Sequence, residues 1–185
     1  MNIPNFLSLL RIILVPVFVI FLIQSEHDKA LVTFTVAGLT DALDGTLARL
    51  LKCQTTLGAY LDPIADKLLL VTSFITLAIF GLIPGWLAVI VISRDFIIFL
   101  GIAILTLMSI TYEIKPAMVS KITTALQVAT IFLALLYKTF THDFSYYWIV
   151  GLCWATAFFT VISGLVYIVR GVRILNKSVP AEVKK

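Results

Sequence analysis

The sequence has few charged residues for its length. Asp, Glu, Lys and Arg make up only 13% of its 185 residues, whereas hydrophobic residues make up 61%. An ordinary soluble domain carries about 25% charged residues, so this chain has too few to solvate a globular surface. The mean hydropathy of +1.07 supports the same conclusion. We therefore predict an integral membrane protein, and we expect no nucleic-acid partner.

Cysteines and a cleavable leader pattern are also scarce. Cys53 and Cys153 match no metal-ligand spacing, and we expect both to be free thiols. The first eleven residues contain neither a basic leader region nor a small-residue cleavage pattern. The apolar run from 12 to 23 is therefore expected to be a retained first helix.

Long apolar segments, separated by polar or Gly/Pro breaks, predict an all-α polytopic bundle of about six transmembrane helices. The chain is expected to form a single membrane domain over 1–185, with a possible interfacial segment at 1–10 and a flexible tail at 176–185. The predicted helices span 10–24, 29–51, 59–81, 85–110, 120–139 and 145–171.

The basic residues predict the orientation, because Lys and Arg are retained on the cytoplasmic side. With six spans, both termini lie on one face. That face would carry ten basic residues and the opposite face only Lys29 and Lys138, while Lys67 and Arg94 lie inside spans. The ten are Arg11, Arg49, Lys52, Lys115, Lys121, Arg170, Arg173, Lys177, Lys184 and Lys185. We therefore expect both termini to face the cytoplasm.

Charges inside spans are costly and are usually functional. The second and third predicted helices contain four such carboxylates, Asp41, Asp44, Asp62 and Asp66. Within each helix they repeat at intervals of three or four residues, which puts them on one face. A short connection makes the two helices antiparallel neighbours, so the four carboxylates are expected to meet near the cytoplasmic surface.

Four neighbouring carboxylates repel one another unless some are protonated or a cation is bound among them. All-oxygen ligation suits Mg²⁺ or Mn²⁺, and pairs of such ions serve displacement at phosphorus. Small residues at 45, 48 and 58 would let a phosphate approach the backbone, and Arg49 could neutralise its oxygens. Isolated aspartates could equally be proton-relay groups, and the glycines alone could be helix-packing contacts.

The complete string from Asp41 to Asp66 is D-x2-D-G-x2-A-R-x8-G-x3-D-x3-D. It resembles the signature of the CDP-alcohol phosphatidyltransferase family at every specified position. The segment from Asn5 to Arg11 is also similar to family members. The resemblance implies a transferase of phospholipid biosynthesis that joins the phosphatidyl group of CDP-diacylglycerol to an alcohol. It also implies a homodimer in contact with membrane lipid, and a site facing the cytoplasm of a bacterial inner membrane.

The resemblance also implies residue roles. Two ions, Mg²⁺ or Mn²⁺, would be held by Asp41, Asp44, Asp62 and Asp66, and Asp66 would act as the catalytic base. The CDP part of the donor would be bound by Asp41, Gly45, Ala48, Arg49, Thr55, Gly58 and Asp62.

The acceptor pocket is expected to use other cations. Arg94, which precedes Asp95, and Lys121 could bind an acceptor phosphate. Alternatively, Arg94 and Asp95 form an ion pair with each other inside the bundle. Lys121 would then only extend its ammonium group to the membrane surface.

The string Lys121-x2-Thr124-x2-Gln127 resembles subfamilies that use glycerol-based acceptors. Glycerol 3-phosphate is the expected acceptor, giving phosphatidylglycerol phosphate and CMP. Phosphatidylglycerol, the acceptor of cardiolipin synthases, is the alternative, because Arg94 is followed by Asp95 and no second Arg follows over 97–104. A hypothesis of another class is a non-enzymatic cation-binding transporter. It is weakened by the lack of a repeat between the two halves of the chain.

Overall fold

The fold is a bundle of six α-helices with no strand in the described residues. The computed structural model describes residues 3–51, 56–108, 118–140 and 146–178, and their side chains except at 3–6, 42–51, 56–60, 146, 177 and 178. The helices are α1 Ile3–Ile23, α2 His27–Leu51, α3 Thr56–Ile79, α4 Gly85–Leu107, α5 Met118–Thr139 and α6 Tyr146–Ser178. The predicted all-α class is thus confirmed.

Two helix boundaries differ from the sequence prediction by seven residues, and the others differ by three residues or fewer. α1 begins at Ile3, and 3–10 are therefore part of the first helix; Pro4 is tolerated there because the first turn needs no backbone N–H partner. α6 continues to Ser178, so the helix includes 176–178 of the segment expected to be a tail. Residues 179–185 lie outside the described part of the chain.

Three helices in the described part of the chain are long and apolar enough to cross a membrane, namely α4, α5 and α6. The stretch Leu7–Ile23 of α1 is a shorter apolar helix. Many of the exposed side chains are large and apolar, among them Phe99 at 70% and Leu107 at 85% exposure. A water-facing surface rarely carries so many, whereas a lipid-facing surface does.

The helices do not pack simply in chain order. α1 contacts both α2 and α3, α5 contacts α2, α3 and α6, and α4 lies against α3 and α6. The apolar core includes Phe18, Phe34, Phe74 and Leu87, and the rings of Phe18 and Phe34 lie 6.0 Å apart. In α1, the core residues Phe18 and Leu22 follow Arg11 toward the C-terminal end of the helix.

Candidate active site

Helix α1 brings together aspartates from two other helices. Arg11 Nη1 contacts Asp66 Oδ1 of α3, and Arg11 Nη2 lies 3.3 Å from Asp41 Oδ1 of α2. One turn earlier, the Ser8 hydroxyl donates a hydrogen bond to Asp62 Oδ1. Three of the four predicted metal ligands are therefore held from one face of α1, since Ser8 and Arg11 are separated by three residues.

The two partners of this ion pair differ in their access to solvent. The Arg11 side chain is fully buried, whereas the side chains of Asp41 and Asp66 are 51% and 40% exposed. The guanidinium thus supports the carboxylates from inside the bundle. Their outer sides remain open to a ligand that approaches from outside.

A second set of polar contacts links the remaining helices. Lys67 Nζ of α3 lies 2.6 Å from Asp95 Oδ2 of α4. Arg94, next to Asp95, donates to Asp95 Oδ1 at 2.7 Å, to Ser120 Oγ of α5 at 2.6 Å and to Ser163 Oγ of α6 at 2.8 Å. A single arginine therefore connects α4, α5 and α6.

The two sets of contacts meet because Asp66 and Lys67 are adjacent in α3. Together they form a layer across the bundle to which all six helices contribute, and we call it the polar layer. It consists of Arg11, Asp41, Asp66, Lys67, Arg94, Asp95, Ser120 and Ser163.

The predicted acceptor residues lie beside this layer. Arg94 is buried at 5% exposure. Its contact with Asp95 is the one that the charge-pair interpretation expects, and the contacts with Ser120 and Ser163 are additional. Lys121 is exposed and directly follows Ser120, which accepts a hydrogen bond from Arg94. Lys121 also borders an open groove on α5 with Ser120 and Thr124. The acceptor-binding role of both residues stays a prediction.

Gln127 is a further polar residue of α5. Its side chain is fully buried, and neither amide atom has a hydrogen-bond partner among the described residues. An unsatisfied buried polar group costs about 1–3 kcal/mol. Such a group is able to bind a polar ligand atom, and it lies about 9 Å along the helix from Lys121.

Several predicted site residues have side chains outside the described set, namely Asp44, Gly45, Ala48, Arg49, Thr55 and Gly58. Among the described residues, no group of three or more His, Cys, Asp or Glu is placed to hold a metal ion. The donor chemistry nevertheless fits a hard divalent ion. Asp41 and Asp66 share one guanidinium, so their carboxylates are close, and both are partly exposed.

The functional interest of Ser8 and Arg11 is a finding of the structure. From the sequence, Ser8 was noted only as part of an N-terminal segment similar to family members, and Arg11 as part of that segment and as one of the cytoplasmic basic residues. Arg11 did carry a signal, because it is a charge at the start of an apolar run and lies three residues after Ser8. Its partners could not be identified from the sequence, since they lie 30 and 55 residues away, in two different helices.

Comparisons with known proteins identify the family of this chain. The family model of the CDP-alcohol phosphatidyltransferases matches residues 1–168. The CDP-diacylglycerol–glycerol-3-phosphate 3-phosphatidyltransferase of Bacillus subtilis is 34% identical over 182 residues, with 90% of this chain and 93% of that protein covered. Human cardiolipin synthase (CMP-forming) is also 34% identical, but this chain spans only 60% of its length. The Haemophilus influenzae CDP-diacylglycerol–glycerol-3-phosphate 3-phosphatidyltransferase is 45% identical over 103 residues, covering 52% of this chain and 55% of that protein.

Proposed function

Because this chain belongs to the CDP-alcohol phosphatidyltransferase family, we propose that it transfers the phosphatidyl group of CDP-diacylglycerol to glycerol 3-phosphate. The products are phosphatidylglycerol phosphate and CMP. The chain is an integral membrane enzyme that depends on CDP-diacylglycerol. The identity of the acceptor is the proposed part.

The observation that carries the proposal is the convergence of three motif aspartates on one face of α1. Ser8 contacts Asp62, and Arg11 contacts Asp41 and Asp66. A transporter would not require the glycine, alanine and arginine positions that the same motif specifies around these aspartates.

A pair of Mg²⁺ or Mn²⁺ ions is part of the proposal, with Asp41, Asp44, Asp62 and Asp66 as ligands. When bound, such ions neutralise diphosphate oxygens and stabilise the leaving group. The partial exposure of Asp41 and Asp66 supports this role, because their outer oxygens are available. Arg11 on the inner side would hold both carboxylates in a fixed orientation.

The other motif residues are proposed to bind the donor. Gly45, Ala48 and Gly58 carry little or no side chain, which lets the diphosphate approach the helices closely. Arg49 would pair with phosphate oxygens through its planar guanidinium. Asp41, Asp62 and Thr55 complete the proposed CDP-binding set.

In the proposed reaction, the acceptor hydroxyl oxygen forms a bond to the β-phosphorus of CDP-diacylglycerol. The bond from that phosphorus to the bridging oxygen breaks, and CMP leaves with the bonding electrons. Asp66 takes the proton of the acceptor hydroxyl. Asp66 belongs to the rigid polar layer through Arg11, which limits the positions that its carboxylate can adopt.

Lys121 is the stronger candidate for binding the acceptor phosphate. It is exposed, whereas the guanidinium of Arg94 is engaged by Asp95, Ser120 and Ser163. Arg94 would then act by fixing Ser120, next to Lys121. The Bacillus subtilis relative, covered over 93% of its length, supports glycerol 3-phosphate as acceptor.

Phosphatidylglycerol is the second candidate acceptor. The engagement of Arg94 within the bundle favours it, because a single cation, Lys121, is then left for the acceptor's phosphate. One cation suits a phosphodiester better than a dianionic phosphomonoester. The 34% identity to human cardiolipin synthase supports the same alternative.

The orientation and assembly are proposed as well. We place both termini and the aspartates on the cytoplasmic side of a bacterial inner membrane, on the basis of the basic residues. We also propose a homodimer surrounded by membrane lipid, on the basis of the family resemblance.

Product analysis tests the acceptor directly. Purified protein with CDP-diacylglycerol and Mg²⁺ would receive glycerol 3-phosphate, phosphatidylglycerol or inositol phosphate in parallel, and the lipid product would be identified by mass spectrometry. We expect phosphatidylglycerol phosphate in the first reaction only. Cardiolipin from the second reaction would show that phosphatidylglycerol is the acceptor. If no alcohol led to CMP release, the proposed phosphatidyltransferase activity would be contradicted.

A further inference from the structure

A cavity separates α4 and α6 on one side of the polar layer. The two helices are close where Arg94 meets Ser163, and Arg94 Cγ is 3.6 Å from the position of a Cβ on Gly164. Further along both helices, residues 97–105 and 167–175 enclose a cavity of about 580 Å³. Small-molecule sites commonly occupy about 300–1,000 Å³, so the cavity is large enough to hold part of a ligand.

The walls of this cavity are mainly apolar, and each helix contributes a glycine to it, Gly101 and Gly171. A Cβ added at either glycine would meet no atom within 4 Å. Packing within the chain therefore does not require glycine at these positions. In membrane helices, small residues allow another group to approach the backbone closely, and among the described residues no side chain fills this space.

The cavity has a cationic border. Arg170 and Arg173 of α6 line it and lie on the same side of the helix, three residues apart. At the opposite end is Tyr167, whose ring centre lies 5.8 Å from Arg94 Cζ. Among the described residues that line the cavity, none is acidic. The space is thus apolar along its length and positively charged toward the C-terminal end of α6.

The dimensions agree with one leaflet of a bilayer. Nine helical residues extend about 12 Å, somewhat less than half of the roughly 30 Å hydrocarbon core. Apolar space that opens to the bilayer is filled by acyl chains. Basic residues between helices at the membrane surface attract anionic headgroups.

We propose that this cavity binds one anionic glycerophospholipid. An acyl chain would lie along Gly101 and Gly171, and the lipid phosphate would contact Arg170 and Arg173. This site lies between α4 and α6, whereas the aspartates proposed to bind the donor are on α2 and α3. A second copy of the chain is a poorer occupant, because a symmetric contact would bring the arginines of both copies together.

Native mass spectrometry of the full chain in detergent tests the proposal. The protein would be titrated with dioleoyl phosphatidylserine, an anionic lipid that is neither the donor nor a candidate acceptor, and, separately, with dioleoyl phosphatidylcholine. Two basic residues predict a preference on the order of tenfold or more for the anionic lipid.

Two variants address the two ends of the cavity. Gly101→Leu fills the apolar space, and Arg173→Gln removes a charge from an exposed position. Arg173→Gln should weaken binding of phosphatidylserine about fivefold, the contribution of one basic residue, and Gly101→Leu should weaken it by a similar factor because the acyl chain loses its space. Matched controls are Gly151→Leu, also at a glycine with open space around it, and Lys138→Gln, which is in the last turn of α5. Neither control should change binding.

Three results would overturn the proposal. The first is equal affinity for the two lipids, and the second is wild-type binding of phosphatidylserine by both cavity variants. The third is a dimer that dissociates in Gly101→Leu and Arg173→Gln alone, because a second copy would then cover the cavity. If Gly101→Leu does not fold, Arg173→Gln and its control Lys138→Gln still test whether the basic end of the cavity binds the lipid phosphate.

Discussion

The ion pair between Arg11 and Asp66 should make a measurable contribution to stability. We consider replacement of Arg11 by Met, which keeps a long apolar side chain but removes the guanidinium. Arg11 is fully buried and contacts Asp66 and Asp41. The variant therefore leaves two carboxylates without their cation.

The magnitude follows from the exposure of the two partners. Hydrogen bonds to charged groups contribute about 1.5–3 kcal/mol each, and breaking a fully buried pair costs about 3–5 kcal/mol. Because Asp66 is 40% exposed, water recovers part of its solvation, and we expect a coupling energy near the lower limit, about 1.5 kcal/mol. That corresponds to a lowering of Tm by roughly 3–6 °C in a chain of this size.

A double-mutant cycle isolates this coupling. Arg11→Met, Asp66→Asn and the double variant would be unfolded in detergent with increasing sodium dodecyl sulfate, followed by circular dichroism. The double variant should be about 1.5 kcal/mol less destabilised than the sum of the single variants. Arg11→Lys should recover part of the loss, since an ammonium keeps the charge but cannot contact both carboxylates as a planar fork does.

The control is Lys29→Met, which breaks the exposed pair between Lys29 and Glu26 at 2.8 Å. Such a surface pair contributes about 0–1 kcal/mol. If the effects of Arg11→Met and Asp66→Asn add to within about 0.5 kcal/mol, the ion pair does not stabilise the fold, and our account of the polar layer is refuted.

Four further predictions concern catalysis, topology and packing. Asp62→Asn or Asp44→Asn should abolish CMP release while the helical signal is kept, because a metal ligand is lost and charge repulsion is relieved; substantial turnover at saturating Mg²⁺ would contradict the metal assignment. Lys121→Ala should raise the KM for the acceptor about tenfold to a hundredfold, the equivalent of losing one charge-assisted phosphate contact. It should change the KM for CDP-diacylglycerol little, and equal changes in both would speak against an acceptor role. A cysteine at residue 54 should be labelled from the cytoplasmic side and one at residue 142 from the other side, and reversed labelling would invert the orientation. Gln127→Leu should raise the free energy of unfolding by about 1 kcal/mol, because it removes a buried amide without a described partner; a loss of stability would show that the amide is satisfied.

Arg94 requires a different design, because its removal affects several helices. Arg94→Ala leaves Ser120 and Ser163 without their donor. The double variant Arg94→Ala/Asp95→Ala also leaves Lys67 without its partner. Lys67 is 48% exposed, so its hydration limits the added cost, and the double variant remains a usable test of acceptor binding.

The sequence was sufficient to predict the helix number, the membrane class and the family. Long apolar runs and motif spacing are local properties of the chain, and they do not depend on how the helices pack. The boundaries were less predictable. α1 extends back to Ile3 and α6 forward to Ser178, because polar residues near a membrane surface are compatible with helix as well as with a loop.

The spacing of residues along the sequence does not predict which side chains contact one another in the site. The sequence placed four aspartates on two adjacent helices, but it gave no indication that α1 would join them through Arg11. It also left two roles open for Arg94. The contact of Arg94 with the adjacent Asp95 is one of those two predicted roles. The contacts with Ser120 and Ser163, which are 26 and 69 residues away, depend on how the helices pack and could not be predicted.

The polar layer also constrains the order in which the bundle can be assembled. During synthesis Arg11 emerges first, and its two carboxylate partners follow only with α2 and α3. Lys67 and Asp95 can pair once α4 has been made, but Arg94 does not meet Ser163 until α6 is complete. The charged side chains of the polar layer must therefore remain near water or beside the insertion machinery while later helices are made. Final docking of the helices is accordingly a late event, and a nascent chain that ends before α6 would keep Arg94 incompletely coordinated.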